Sequence, residues 1–138
     1  MLIRAFDPAD TDAVVQLWQD CGLTRPHNDP RRDIDRKLTE QPEMFLVGTV
    51  DGAVMASVMA GFEGHRGWVN YLAVSPRHQG AGWGRRLMGE VERLLAARGC
   101  PKVNLQIRVG NEQALDFYRA LGYTADEAVS FGKRLIAD

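Results

Sequence analysis

Apolar residues alternate with polar ones in some stretches of the chain and recur at helical spacing in others. Alternation over residues 2–6 predicts a short first strand, and helical spacing over residues 11–21 predicts the first helix. A polar, proline-punctuated loop follows. The second helix is predicted from Pro30 to about residue 41, because Asp29 is a good N-cap and proline suits the first helical position.

The middle of the chain consists of strand-like runs. Residues 44–50 and 53–61 are two such runs, and the Asp51-Gly52 pair between them is a strong signal for a two-residue hairpin. Residues 68–74, rich in β-branched and aromatic side chains, predict a further strand. These consecutive strands indicate an antiparallel front to the sheet.

The back half of the chain alternates helix and strand. Helical spacing over residues 87–98 is followed by a predicted strand over residues 103–109. A helix opened by Asn111 comes next, and residues 128–136 predict a closing strand. The predicted order is β-α-α-β-β-β-α-β-α-β. This order is typical of an α/β (α+β) domain whose mixed sheet has one parallel strand pair around the third helix.

Length and composition restrict the class of protein. The chain has 138 residues, 45% of them hydrophobic, which suits a single domain over residues 1–138. The formal net charge of −1 gives no general attraction to nucleic acid or to an anionic membrane. The cysteine spacing suggests neither a disulfide nor a metal site, and no signal peptide is visible, so a soluble cytoplasmic protein is expected. Any recognition of phosphate must be local.

A glycine-rich turn lies between the strand over 68–74 and the helix that follows. Its residues are Gln79, Gly80, Ala81, Gly82, Trp83 and Gly84, and three arginines flank it: Arg77, Arg85 and Arg86. Glycine lets the backbone approach a ligand closely, and the amides at a helix N-terminus attract an anion. The turn therefore predicts a phosphate site, with a flexible strand–helix connection as the alternative. The motifs of nucleoside-triphosphate loops and of dinucleotide folds are missing.

Two motifs resemble the GNAT superfamily of N-acyltransferases. The stretch Gln79 to Gly84, with residues 72–76 before it, is similar to the family's Arg/Gln-x-x-Gly-x-Gly/Ala signature and its preceding strand. Residues 111–123 resemble the family's Asn-x-x-Ala-x-x-Phe-Tyr-x-x-x-Gly-Phe/Tyr block. Residues 18–37 also resemble the bacterial YpeA-type subgroup. The resemblance implies a GNAT-like, mostly antiparallel sheet of about six or seven strands flanked by about four helices.

The same resemblance implies an N-acetyltransferase that uses acetyl-CoA as its donor. In the family the amides of the turn hold the CoA pyrophosphate, which assigns this role to Gln79 to Gly84, with Arg85 beside them. The preceding strand of the family is splayed from its neighbour. The free backbone groups expected to pair with the pantetheine arm are therefore those of Leu72, Ala73 and Val74.

The resemblance also implies roles in the chemistry. Tyr118 is the expected general acid near the CoA sulfur, since a tyrosine stays protonated at neutral pH; packing in the helix core is the alternative. The thioester carbonyl is expected to accept a hydrogen bond from the backbone N–H at Leu72. Asn111 is expected to touch the cofactor arm, although capping its helix also explains it. Cys21 and Cys100 lie in no acyl-carrier motif, so direct attack in a ternary complex is expected.

The general base stays open, because the strands that carry a glutamate in several family members have no carboxylate here. A chain of water molecules is one alternative. The candidate bases or amine-orienting groups are Glu63, His65, Asn70, Tyr71 and Gln106.

The acceptor is expected to be a small-molecule or peptide amine, bound between the first two helices and the central strands. Arg25 and Asn28 are the candidate substrate residues, suited to a carboxylated amine, whereas Asp29 is expected to act as a cap. Homodimers are common in the family. The rival hypothesis is a non-catalytic acyl-CoA-binding or regulatory module, which would bind the cofactor but transfer nothing.

Overall fold

The computed structural model describes residues 1–138, which form five strands and four α-helices. The strands are β1 (Leu2–Ala5), β2 (Phe45–Val50), β3 (Ala53–Phe62), β4 (Gly67–Val74) and β5 (Val103–Leu105). The helices are α1 (Thr11–Asp20), α2 (Pro30–Leu38), α3 (Trp83–Ala97) and α4 (Glu112–Ala120). No helix combines the length and the apolar character that crossing a membrane requires.

The strands form one sheet in the order β1-β2-β3-β4-β5. All neighbours are antiparallel except β4 and β5, which are parallel. The β4–β5 pairing covers only residues 67–69 of β4, opposite 103–105 of β5. Residues 70–74 of β4 pair with β3 alone, so the sheet is split at the end of β4 that leads into the glycine turn.

A β-bulge lies on β4 beside this split. Tyr71 and Leu72 together face a single residue of β3, Val58. Tyr71 has a φ of 54°, in the left-handed region that aromatic residues rarely adopt. Holding such a residue costs about 1–3 kcal/mol, so the surrounding contacts must fix it.

Two hydrophobic clusters cover the two faces of the sheet. The cluster under α1 and α2 includes Trp18 and Phe45, and the cluster under α3 and α4 includes Val58 and Leu87. β2 and β3 lie between the two clusters. Burial on both faces explains why these strands are nearly continuous apolar runs rather than alternating ones.

The mixed sheet and the four helices are confirmed, but the predicted strand count is wrong. The sheet has five strands rather than six or seven, because residues 128–136 form no strand. Gly132 interrupts the apolar alternation of that segment, and glycine weakens a strand interior. Val129 and Phe131 are consequently exposed. On the outer side of β5, the side chain of Asn104 donates a hydrogen bond to the side chain of Asp126 at 2.8 Å.

Three predicted boundaries also differ from the structure. β5 ends at Leu105 rather than at residue 109, because the chain moves away from β4 there and loses its partner. α2 ends at Leu38 rather than near residue 41. α3 begins at Trp83, four residues earlier than its apolar periodicity predicts, so the glycine turn leads directly into the helix.

Candidate active site

The glycine turn lies at the N-terminus of α3, directly after the split end of β4. Gly80 and Gly82 have φ values of 87° and 83°, which glycine adopts without a steric penalty. Gly82 is the N-cap of α3 and supplies no side-chain cap. The amides at 83–85 therefore donate to no group of the chain, and together with the helix dipole they favour an anion.

Gly84 is required for a different reason, because it contacts α4. A Cβ at this position would lie 3.0 and 3.1 Å from two ring atoms of Phe117 and 3.9 Å from Val74. Phe117 thus packs against the backbone of the first turn of α3. This contact brings α4 beside the split.

The side chains around the turn divide into those that hold its shape and those that are free. Gln79 Nε2 donates to the carbonyl of Val74 at 3.0 Å, and Arg86 donates to the Met1 carbonyl at 2.9 Å. Arg85, like Arg77, is exposed and has no ion-pair partner in the chain. Such guanidinium groups are available to pair with a phosphate.

Two further residues of the turn have simple environments. Trp83 stacks on His78, with ring centroids 4.5 Å apart. Ala81 is exposed at the tip of the turn. Both leave the amides of the turn accessible.

The backbone of β4 offers free donors along the split. Ser75 N–H donates to the carbonyl of Met55 on β3 at 2.8 Å. Because donors alternate along a strand, the N–H of Ala73 also points to β3, whereas those of Leu72 and Val74 point into the split. Main-chain donors of this kind pair readily with a peptide-like ligand.

Tyr118 lies on α4, next to the phenylalanine that contacts the turn. Its ring packs edge to face against Phe117 and Tyr123, with centroids 5.0 and 5.7 Å apart. Burial raises the pKa of Tyr118 to about 12, with no hydrogen bond contributing. Tyr118 and Gln106 line a cleft of about 740 Å³ between β5, α4 and residues 124–130.

Gln106 and Asn111 already have partners in the chain. Gln106 donates to the hydroxyl of Ser130. Asn111 is the N-cap of α4, and its Oδ1 accepts from the Ala114 N–H at 3.1 Å. Capping alone accounts for the asparagine here.

Glu63 and His65 lie far from the split. They occupy the β3–β4 connection, at the end of β4 that still pairs with β5. At about 3.3 Å per strand residue, His65 is roughly 20 Å along the chain from Leu72. Glu63 accepts hydrogen bonds from the Arg66 and His65 amides, which lower its pKa and make it a poorer base.

Asn28, Asp33 and Tyr71 form one hydrogen-bonded group on the α1–α2 face of the sheet. Tyr71 Oη donates to Asp33 Oδ2 at 2.6 Å and accepts from Asn28 Nδ2 at 2.9 Å. Asn28 also donates to Asp33 at 2.5 Å. Burial first, and then the Asp33 carboxylate, raise the pKa of the Tyr71 phenol well above its usual value. This phenol is therefore a hydrogen-bond donor rather than a base.

Contacts from α1 and β3 also hold the bulged part of β4 in place. Trp18 stacks on the Tyr71 ring, with centroids 3.8 Å apart, and its Nε1 donates to the buried Ser57 hydroxyl at 2.9 Å. The Ser57 hydroxyl in turn donates to the Tyr71 carbonyl at 3.2 Å. Tyr71 is thus fixed at its ring, hydroxyl and carbonyl, which offsets its backbone strain.

Sequence reasoning missed Asp33 and Ser57. The one local signal for Asp33 is its position just before Ile34, the buried residue of α2. Ser57 lies in an apolar strand with nothing in its neighbourhood to indicate a role. Both depend on contacts between residues distant in sequence.

Among the other acceptor candidates, Arg25 folds back on its own loop. Its Nη1 donates to the carbonyls of Gly22 and Thr24 at 2.7 and 2.8 Å. Asn70 is exposed on β4 beside the bulge. Asp29 is the N-cap of α2, as predicted. No group of three or more His, Cys, Asp or Glu side chains lies close enough to hold a metal ion.

Comparisons with known proteins agree with this architecture. A sequence model described as the Acetyltransferase (GNAT) family matches residues 11–123. The chain is 46% identical over 138 residues to Acetyltransferase YE1169 of Yersinia enterocolitica, covering 100% of this chain and 98% of that protein. The crystal structure of Ard1 from Thermoplasma volcanium is similar with a TM-score of 0.81 and 28% identity, over 89% of this chain and 82% of that one.

A further solved structure is similar in fold alone. AAC(6')-Iy, in complex with the bisubstrate analog CoA-S-monomethyl-acetylneamine, has a TM-score of 0.79 at 18% identity and covers 98% of both chains. Fold similarity at this level leaves the substrate of the chain to be argued from its own residues.

Proposed function

Because the chain belongs to the GNAT family of acetyltransferases, we propose that it transfers the acetyl group of acetyl-CoA to a primary amine. The observation that carries the proposal is the split between β4 and β5 beside the glycine turn. A pantetheine arm needs main-chain partners, and a pyrophosphate needs a cluster of donors. Both are available in one continuous path.

The donor occupies that path from the turn inward. The amides of Gln79 to Gly84 and the Arg85 guanidinium bind the pyrophosphate, and the N–H groups of Leu72 and Val74 bind the arm. The Leu72 N–H is the donor to the thioester carbonyl, where negative charge develops during attack. The solved structure of AAC(6')-Iy, which is a complex with a CoA-based bisubstrate analog, supports a CoA donor for this fold.

The transfer is direct attack of the neutral amine on the thioester carbon. The C–N bond forms, the C–S bond breaks, and the CoA thiolate takes the phenolic proton of Tyr118. The amine loses its extra proton to water, because the structure brings neither Glu63 nor His65 to the split. Water returns a proton to the Tyr118 phenolate, which restores the acid for the next turnover. Asn70 and Tyr71 orient the amine from β4.

The acceptor enters from the α1–α2 face, where Asn28 and Tyr71 lie. All of these groups come from one chain, which acts as a single domain. We also infer that the chain belongs to the YpeA-type subgroup, because residues 18–37 resemble it.

The test is CoA release from acetyl-CoA by the purified chain, measured with amines and peptides, beside a binding isotherm for acetyl-CoA. Tyr118→Phe is expected to lower kcat at least tenfold with unchanged acetyl-CoA affinity. Tyr123→Phe is the matched control, because it removes a neighbouring phenol that bonds Glu92 at 2.7 Å. Acetyl-CoA binding without transfer to any amine would favour the non-catalytic module instead.

A further inference from the structure

The segment after α4 contains a run of backbone that has no partner. Residues 128–135 lie between bends at Glu127 and Ile136 and contain no turn, bend or helix, so the run is extended. No backbone–backbone hydrogen bond involves residues 124–138. An extended run with unpaired N–H and C=O groups is a template on which another strand can pair.

Side-chain contacts attach this segment to β5 and orient its two faces. Asp126 accepts hydrogen bonds from Lys102 at 2.7 Å and from Asn104 at 2.8 Å. Ser130 accepts a hydrogen bond from Gln106. Successive side chains of an extended chain point to opposite sides, so the odd-numbered neighbours of Ser130 point away from β5.

The odd-numbered positions carry large apolar side chains that nothing in the chain covers. Val129, Phe131 and Leu135 are 83, 94 and 87% exposed, and none of them belongs to either hydrophobic cluster. Apolar residues that are exposed singly are normal, but several on one face of a short run mark an interaction surface. The segment therefore has both a free backbone edge and an apolar face.

The charges of the segment complement a reversed copy of the same segment. Residues 126–134 read Asp-Glu-Ala-Val-Ser-Phe-Gly-Lys-Arg, with two acids at one end and two bases at the other. An antiparallel pair centred on Ser130 places Glu127 opposite Lys133 of the second copy. It also places Asp126 opposite Arg134. Glu127, Lys133 and Arg134 form no ion pair within the chain, so their charges are free for such a contact.

The same register also aligns the apolar side chains. Val129 lies opposite Phe131 of the second copy on the outward face, and two-fold symmetry repeats this pair. Aromatic and β-branched side chains form a favourable cross-strand pair. On the face toward β5, Ala128 lies opposite Gly132, and Ser130 lies opposite its own copy. No bulky residue therefore obstructs the pairing on that side.

We propose that residues 126–134 form the interface of a homodimer, by antiparallel pairing with the same segment of a second copy. The contact is isologous, so it closes at two copies. A single strand pair is smaller than a standard interface of about 1,200–2,000 Å², so the dimer forms as the concentration rises. Residues 128–130 also form a wall of the cleft that Tyr118 lines, so the interface adjoins the candidate active site.

The first experiment measures the mass of the full chain by sedimentation equilibrium from about 1 μM to about 1 mM. The mass is expected to rise from 15.4 kDa toward twice that value. Phe131→Ser should weaken the dimer at least tenfold and leave the folded monomer intact, because this side chain is exposed. Asp35→Lys changes an exposed residue of α2 and should dimerise as the unaltered chain does. A monomer over the whole range, or a dimer that Phe131→Ser leaves unchanged, would overturn the proposal.

The second experiment tests the register by exchanging charges. Glu127→Lys and Lys133→Glu each place like charges opposite one another twice, and each should weaken the dimer at least fivefold. An equimolar mixture of the two variants restores both pairs in a heterodimer, as E127K/K133E does within one chain. Both should dimerise as the unaltered chain does. Single variants with unchanged dimerisation, or a mixture that stays monomeric, would refute the antiparallel pairing.

Amide hydrogen exchange at the two ends of the concentration range identifies what covers the segment. Alternate amides of residues 128–133 should be protected in the dimer and exchange freely in the monomer. Protection of these amides at a concentration where the chain is monomeric would show that the chain covers its own segment. That result would overturn the proposal.

Discussion

Gly84→Ala tests the contact between the first turn of α3 and α4. The new Cβ would lie 3.0 Å from Phe117, whereas carbon atoms pack best at about 3.5–4.0 Å. Phe117 or the turn must therefore shift by a few tenths of an ångström. Overpacking of this kind costs about 1–3 kcal/mol.

Gly89→Ala is the matched control within the same helix. A Cβ at Gly89 meets nothing within 4 Å, so the exchange should only add helix propensity, worth about 1 kcal/mol. We expect Gly84→Ala to be less stable than Gly89→Ala by about 1–3 kcal/mol in urea unfolding. Acetyl-CoA affinity should fall at least tenfold, about 1.4 kcal/mol, for Gly84→Ala alone. Equal stability and equal affinity of the two variants would refute the packing argument.

Three other features of the structure, two hydrogen-bonded contacts and the buried Tyr118 phenol, can be tested in the same way. Tyr71→Phe removes the donor to Asp33 and should lower the free energy of unfolding by about 1.5 kcal/mol, since bonds to charged groups are worth at least that; a loss below about 0.5 kcal/mol would contradict it. Asp10→Asn breaks the paired contacts to Arg4 at 2.7 and 2.9 Å and should cost about 1 kcal/mol in thermal or urea unfolding. The Arg4 hydrogen bond lowers the pKa of Asp10, so this contribution is present above about pH 4 and lost as the pH falls below it; a difference that persists at pH 2 argues against the ion pair. The rate constant kcat should rise with pH as the amine loses its proton. Because burial raises the pKa of Tyr118 to about 12, kcat should show no descending limb up to pH 10. A descending limb that Tyr118→Phe removes would contradict this.

The local elements of the fold could be predicted from the sequence, because their signals lie within a few residues. Asp29 caps α2 by accepting hydrogen bonds from amides in the first turn of that helix, and Asp51-Gly52 joins β2 to β3. The absence of a closing strand could not be predicted from such local signals. Residues 128–136 have the composition of a strand, but pairing depends on a partner edge that their neighbours in sequence do not reveal.

The candidate site, too, could be predicted from the sequence only where its signals are local. The glycine turn is a local motif, and its left-handed glycines are where the sequence places them. The bulge and the network around Tyr71 join residues 38 positions apart in the Asp33 contact and 39 apart in the Trp18–Ser57 contact. Register and helix packing decide such contacts, so no window of sequence contains them.

The central claim is that acetyl-CoA lies in the split between β4 and β5, with its pyrophosphate on the glycine turn. Backbone amide NMR of the ¹⁵N-labelled chain during an acetyl-CoA titration tests it most directly. We predict the largest shifts at Leu72, Val74 and the amides of 80–85, and small ones in β1 and β2. Saturable binding that leaves Leu72, Val74 and the turn unchanged would contradict the claim.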